Sequence, residues 1–434
     1  MPTRAEAATI ELANVLQRLD ITASRDALEA DWAQSQAHAP DGAPAFLDPE
    51  YLAYACDVAC IPDEFLPSLL RAAERVAADE AACALIWHAH WWMFESDDFR
   101  FERVRSWPRM VDALGEEGGL FYLLALLTGV DDMRAIHREH DIPDEIVRDT
   151  MSQIALYLNM TTDKQGFPEV IPHLTAWLMN HLRGVIYKLA RLQFQFGDSR
   201  YRIRVFRNGA TDQVVALSED GVRFRADGQI LRDGDDATCA WTARLSAEGG
   251  VVEGSPIVPT GRTLRLQVEL PADRWQQVLA PGDPVLHIHI PGGEPMHYDH
   301  CGRSFEMALE FFPRHFPDYR FNAFMCGSWI LDTAIAQFMP ADSNLVRFQR
   351  EVYLFPIGLS DSSLPGAIFD EVPEDLGRAP RDTTMRRGYL DAMLAGGLVS
   401  GGGGLFLLPE DVNWGAQVYR SQEMPWYRRG TELE

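Results

Sequence analysis

The sequence predicts an α+β protein in which an all-helical N-terminal domain precedes a mixed α/β domain. Three observations lead there. Apolar residues recur at helical steps from Asp48 to about Phe196, with stops at Pro62, Pro143, Pro168 and Pro172. At Gly197-Asp198 the period shortens to two, in runs broken by Asp220-Gly221, Asp227-Gly228 and Asp233-Gly234. From Val285 onward, strand-like and helix-like segments interleave. A chain of 434 residues is also too long for one ordinary core. The expected layout is a partly helical lead over 1–47, a helical domain over 48–197 and an α/β domain over 198–434.

Asp48-Pro49-Glu50 opens the first clear helix, with an acid at the N-cap and proline at the first helical position. Ahead of it, Ala5 to Pro44 reads as a mobile lead with one helix. Ile142-Pro143-Asp144-Glu145 repeats the start signal for a helix running to about Tyr157. Gly119 to Val130 is apolar but falls well short of the ~20 residues that span a bilayer, so it reads as a buried core helix. Trp177 to Phe196 reads as the clearest helix, its stripe formed by Leu178, Leu182, Val185, Leu189, Leu192 and Phe196. Later strands are expected at Tyr201–Arg207, Gln213–Leu217, Val222–Arg225, Gln229–Leu231, Cys239–Leu245, Thr263–Val268 and Val285–Ile290. Helices are expected at Ser304–Phe316, Thr333–Phe338, Asn344–Arg350 and Thr384–Ala395, with strands at Tyr319–Ile330 and Glu351–Ile357 between them. Gly401 to Gly404 reads as a turn or loose loop.

A hydrophobic fraction of 47% and a charged fraction of 24% are those of a soluble globular protein. The net charge of −25 argues against a general nucleic-acid or anionic-membrane surface, which needs a basic face. An anionic co-substrate must then enter through a local basic patch. The 6 cysteines (Cys56, Cys60, Cys83, Cys239, Cys301, Cys326) form no CxxC pair, which fits a reducing, cytoplasmic setting. Met1 to Leu12 carries Glu6 and Glu11 and no apolar signal-peptide core, and no membrane span is expected.

The chemistry concentrates between Pro284 and Phe312. Val285-Leu286-His287-Ile288-His289-Ile290 is a strand, so His287 and His289 share one face with Val285 while Leu286, Ile288 and Ile290 share the other. Pro291-Gly292-Gly293 turns the chain toward a helix opening near Ser304, with Ser304 as N-cap and Glu306 in the first turn. Amides at such a junction can hold an anion, which makes Pro291, Gly292, Gly293, Arg303 and Ser304 the candidate cofactor-binding set. His289 and His287 are the candidate general base and partner. A rival reading joins them to His297 and His300 as a metal cluster serving a hydrolase. Cys301 and Cys326 are candidate nucleophiles, or inert buried thiols. Ser328 is either a hydrogen-bond donor or a cap for the helix after Asp332.

Several motifs in order resemble a family. Ile142-Pro143 through Asp149-Thr150, Trp177-Leu178 with His181-Leu182, and Leu189-Ala190-Arg191-Leu192-Gln193-Phe194 resemble the helical N-terminal domain of bacterial acyltransferase-type proteins with a GNAT-like C-terminal domain. The family writes the last motif with glycine where this chain has Ala190. His289-Ile290-Pro291 with Gly293, Cys301 and Ser304, Phe311-Phe312, Phe316-Pro317, Cys326 with Ser328-Trp329, Leu331-Asp332 and Ser343-Asn344 through Phe348 continue the pattern. The resemblance spans roughly Leu52 to Phe406.

It implies a GNAT-like fold behind the helical domain, and transfer of an acyl group from a thioester to an amine of a small molecule or peptide. No permanently bound cofactor is implied; acyl-CoA or acyl-phosphopantetheine is a co-substrate, the latter on an acyl carrier protein. In that mechanism His289 or His287 deprotonates the amine, and a backbone amide of a splayed strand holds the oxyanion. Arg191, Gln193 and Trp329 are the implied substrate-binding residues, with Arg191 alternatively a structural ion-pair partner. The family's Gln/Arg-x-x-Gly-x-Gly/Ala phosphate loop is missing, and Pro291-Gly292-Gly293 stands at that junction without a basic lead residue. A non-catalytic protein of the same shape is the third reading.

Overall fold

The computed structural model describes residues 10–96, 101–232, 240–358, 363–369, 373–397 and 402–424, which fall into two compact units dividing between Leu189 and Ala190. Helix starts in the first unit follow local chemistry. Asp48 caps Pro49–Val58 by accepting the Glu50 N–H at 2.8 Å, and Pro49 occupies a position whose N–H would have no helical partner. Asp79 caps Glu80–His90, accepting from Ala81 and Ala82.

Residues 10–47 include packed helices, which corrects the mobile lead over that stretch. Helices Leu12–Arg18 and Trp32–Ala37 bury Leu12, Val15, Leu16 and Trp32 in the same core as Leu85, Phe121 and Leu178. Helical spacing of those apolar residues gives the segment a face to bury. The apolar run after Gly119 is buried as expected, with an α-helix over Phe121–Leu126. The helix beginning at Asp144 runs past Tyr157 to Gln165. Among the described residues no helix is long and apolar enough to cross a membrane.

Trp177–Phe196 is not one helix. Helix Pro172–Leu182 ends, Gly184 turns the chain at φ +63, and strands follow at Ile186–Leu189 and Leu192–Asp198. Leu192 and Phe196 satisfy a two-residue period as well as a four-residue step, and the β-branched and aromatic run Val185-Ile186-Tyr187 favours strand.

The second unit holds a mixed sheet ordered Leu192–Asp198, Pro284–His289, Ala323–Asp332, Gly402–Leu407, Tyr353–Pro356. The histidine strand, Pro284–His289, runs antiparallel to Leu192–Asp198 and parallel to Ala323–Asp332, with helix Tyr298–His315 as the crossover that parallel pairing requires. A second, antiparallel sheet is ordered Arg262–Thr263, Pro256–Val258, Val214–Ser218, Ile203–Asn208, Trp275–Leu279. Three further strands, Leu245–Glu248, Val251–Gly254 and Val268–Pro271, form a small sheet. The sequence pattern misses Val251–Gly254, Pro256–Val258 and Trp275–Leu279; Asp233-Gly234 and Cys239 lie outside the described residues.

Alternation divides the main sheet into two chemistries. Phe194, Phe196 and Phe324 pack edge-on against Phe305 and Phe312 of the crossover helix, with ring centroids 5.2–6.2 Å apart. The opposite face carries Gln193, Gln195, His287, His289 and Met325, register partners one residue out of phase with the phenylalanines.

The glycine run is a buried strand, Gly402–Leu407, not a loop. A Cβ on Gly404 would stand 2.3 Å from the Phe355 ring, so the missing side chain is what lets that ring cover the strand.

Ala190 sits at φ +53, a left-handed conformation that costs an L-residue about 1 kcal/mol and suits the glycine of the family motif. Ala190→Gly is expected to raise stability by about 1 kcal/mol, read from urea unfolding. A pH effect is also expected. Burial pushes His88 and His181 down to about 4, so folding holds them neutral while the unfolded chain takes up protons near 6.5. Their contribution is intact above pH 6.5 and is lost as pH falls toward 4, at about 1.4 kcal/mol per pH unit per histidine. Urea midpoints followed by tryptophan fluorescence at pH 7 and pH 5 measure it.

Candidate functional site

Parallel pairing between the histidine strand and Ala323–Asp332 consists of Val285 with Ala323, Leu286 with Phe324 and His287 with Met325, and goes no further. Both strands continue. His289 still pairs with Gln193 on the other side, and Ala323–Asp332 runs on with a register shift against Gly402–Leu407 between Gly327 and Asp332. The ladder thus stops short of Ile288-His289 and Cys326-Gly327-Ser328, and this gap in the pairing leaves backbone groups that the parallel ladder does not use.

His289, half-buried, faces this gap's polar side. Its Nε2 lies 2.8 Å from Gln195 Oε1, which as an amide oxygen accepts, and in the neutral ring that tautomer carries the lone pair on Nδ1. Gln195 is a site residue that the sequence reading passed over. Its signal was present in the alternation Leu192-Gln193-Phe194-Gln195-Phe196, where amides occupy every second place.

His287 is buried and differently tied. Its Nε2 donates to the Asp198 carbonyl at 3.1 Å, and Arg200 Nη2 stands 3.5 Å from the same nitrogen. Burial first, and then the Arg200 charge, push its pKa below the ordinary value, so the ring is neutral at pH 7. Gly197 makes room for it, since a Cβ there would lie 2.6 Å from the His287 ring. No sequence signal marked Arg200, and Gly197 stood in the sequence only as the point where the period changes.

The turn after the strand is held from inside. Arg191 donates to the carbonyls of Pro291 at 2.8 Å, Glu294 at 2.7 Å and Pro295 at 3.0 Å. Its side chain is buried, which pushes its pKa below the usual value without discharging it. Arg191 thus shapes the glycine turn by charge-assisted hydrogen bonds to carbonyls, where the sequence reading offered an ion pair or a pocket wall. Gly292 and Gly293 are exposed, and Gly293 takes φ +82.

Ser304 is not an N-cap. The helix begins at Tyr298, so Ser304 lies inside it, donating to the His300 carbonyl at 2.9 Å and accepting the N–H groups of Arg191 and Leu192 at 3.0 and 3.2 Å. The polar segment Glu294 to His300 concealed the earlier start, whose first-turn acid is Asp299 rather than Glu306. Arg303, exposed, pairs with Glu306 at 3.3 Å.

The four-histidine cluster does not form. His287 and His289 are bonded as described, while the rings of His297 and His300 meet edge-on with centroids 5.3 Å apart. Among the described residues no group of three or more His, Cys, Asp or Glu is placed to hold a metal ion.

Cys326 falls on the same side of its strand as Phe324, away from His287 and His289, and burial pushes its thiol up to about 12. Burial likewise pushes Cys301 up to about 12. Both are far from the lowered pKa of an activated thiol. Ser328 and Trp329 are half-buried beyond the last ladder pair. Ser328 Oγ accepts from Ile330 N at 3.4 Å and caps no helix; the helix Ile335–Phe338 has Ala334 at its N-cap, whose N–H Asp332 accepts at 2.8 Å. Gln193 is fully buried.

Two family models cover most of the chain: a GNAT-like C-terminal domain over 186–406 and an N-acyltransferase N-terminal domain over 50–184. Solved structures share the fold. An acyltransferase variant in complex with octanoyl-CoA is 19% identical, with 92% of this chain and 99% of that one covered at a TM-score of 0.58. An acyltransferase in complex with decanoyl-CoA and teicoplanin is 18% identical over the same shares at 0.56, and one with decanoyl-CoA at 0.57. No curated protein sequence matches the chain.

Lysine cannot reproduce the forked donors of Arg191. Arg191→Lys is expected to cost about 1–3 kcal/mol in urea unfolding, by losing hydrogen bonds that the buried guanidinium makes to three carbonyls. Cleavage at Gly292-Gly293 in limited proteolysis should rise with it.

Proposed function

The chain belongs to the family of the GNAT-like C-terminal domain, and from that premise we propose that it transfers an acyl group from a thioester to an amine of a small molecule or peptide. The observation that carries this reading is the end of parallel pairing at His287–Met325, directly beside an oriented imidazole and an exposed glycine turn. A thioester carbonyl seated in the gap meets backbone N–H groups that can hold its developing oxyanion. The Nδ1 of His289 takes the proton of the attacking amine as the N–C bond forms. The C–S bond then breaks, and the imidazolium returns its proton to the departing thiolate. Gln195 fixes the tautomer and ring orientation that this requires, and His287, kept neutral, adds no competing positive charge.

Acyl-CoA is the donor this reading favours, in keeping with the acyl-CoA bound in the solved acyltransferases that share the fold. The teicoplanin in one of them supports a peptide-like or small-molecule acceptor here. An acyl carrier protein is the alternative donor, since the turn lacks a basic lead residue and Arg191 is committed to carbonyls. A reducing, cytoplasmic setting accords with the five free cysteines among the described residues.

His289→Ala is expected to lower amine-dependent thiol release by about 10²–10⁴-fold, with Gln195→Leu lowering it less and shifting its pH profile. Unchanged release in His289→Ala would remove His289 from the reaction.

A further inference from the structure

Beside the gap, on the histidine face of the sheet, an open cleft of about 200 Å³ is lined by Val222, Phe224, Ile230, Phe355 and Ile357 among the described residues, with Arg200 and Arg202 along its edge. Phe355 comes from the main sheet, Ile203 and Ile257 from the second and Phe224 from the short strand Arg223–Phe224, and Phe224 and Phe355 are almost fully buried in its walls.

Two contacts join the cleft to the gap. A Cβ at Gly327, just past the last ladder pair, would stand 2.5 Å from Tyr201 Oη and 3.1 Å from Ile357 Cδ1, and both residues line the cleft. Arg200, on the rim, stands 3.5 Å from His287 Nε2. The glycines at 327 and 404, which are ladder partners, let the Tyr201 and Phe355 rings meet edge-on at 5.1 Å and form the wall nearest the gap.

Resting on the acyltransferase reading, we infer that this cleft holds the acyl chain of the donor and sets its length. Apolar walls suit an alkyl chain, whereas the cationic rim repels an ammonium-bearing acceptor. The volume sets the scale. An apolar cavity of ~150 Å³ takes a benzene ring, so this cleft suits a chain of about six to eight carbons.

The test is calorimetric titration with CoA and straight-chain acyl-CoAs from acetyl to dodecanoyl, which needs no acceptor. Affinity should rise about fourfold per methylene up to six to eight carbons and then level off. Val222→Phe, which fills the cleft, should move the levelling point to shorter chains. Ile357→Ala, which enlarges it, should move that point to longer ones. Binding of CoA itself should be unchanged in both. Affinity independent of chain length, a levelling point that neither variant moves, or an equal loss for CoA and every acyl-CoA would overturn the cleft while leaving the acyltransferase reading standing. If no CoA thioester binds at all, the coenzyme A form of that reading fails and the cleft proposal falls with it.

Discussion

Two parallel strands that share three ladder pairs and then part company set the conditions for everything chemical in this protein. Separation is stable only because each strand is secured on its other side, the histidine strand by Leu192–Asp198 and its neighbour by Gly402–Leu407. The phenylalanines between the sheet and the crossover helix hold one face closed in the dense packing typical of protein interiors. Polar groups can therefore gather on the other face without loosening the core.

Arg191 and Ser304 carry the same logic into the turn. One buried guanidinium donates to three carbonyls of the turn, and one hydroxyl receives two amides at the start of the adjacent strand. The glycine turn is thus fixed from below while its upper surface stays open. Those three hydrogen bonds engage the Arg191 guanidinium within the turn itself.

Much of the second unit was legible because strands with alternating residues announce which side faces the core. The shared face of His287 and His289 followed from that alternation alone. What failed, failed for physical reasons. Leu192 and Phe196 fit two periods, and a run of glycines looks like a loop unless the ring that replaces their side chains is known. Ser304 read as a cap because its hydroxyl is made for backbone groups, and it does bind them, though across to another strand. Gln195 was visible in the pattern but lacked a reason to be singled out. Arg200, Tyr201 and Gly327 carried no local signal, since their roles arise from contacts between segments far apart in sequence.

The central claim is that the gap beyond His287–Met325 receives a thioester. Native mass spectrometry of the intact protein against acyl-CoA and acyl-pantetheine panels addresses it most directly. The account predicts stoichiometric adducts with thioesters, weakened in Gly327→Val, whose side chain would intrude where Tyr201 closes the wall. Absence of any thioester adduct, or adducts indifferent to that substitution, would contradict it.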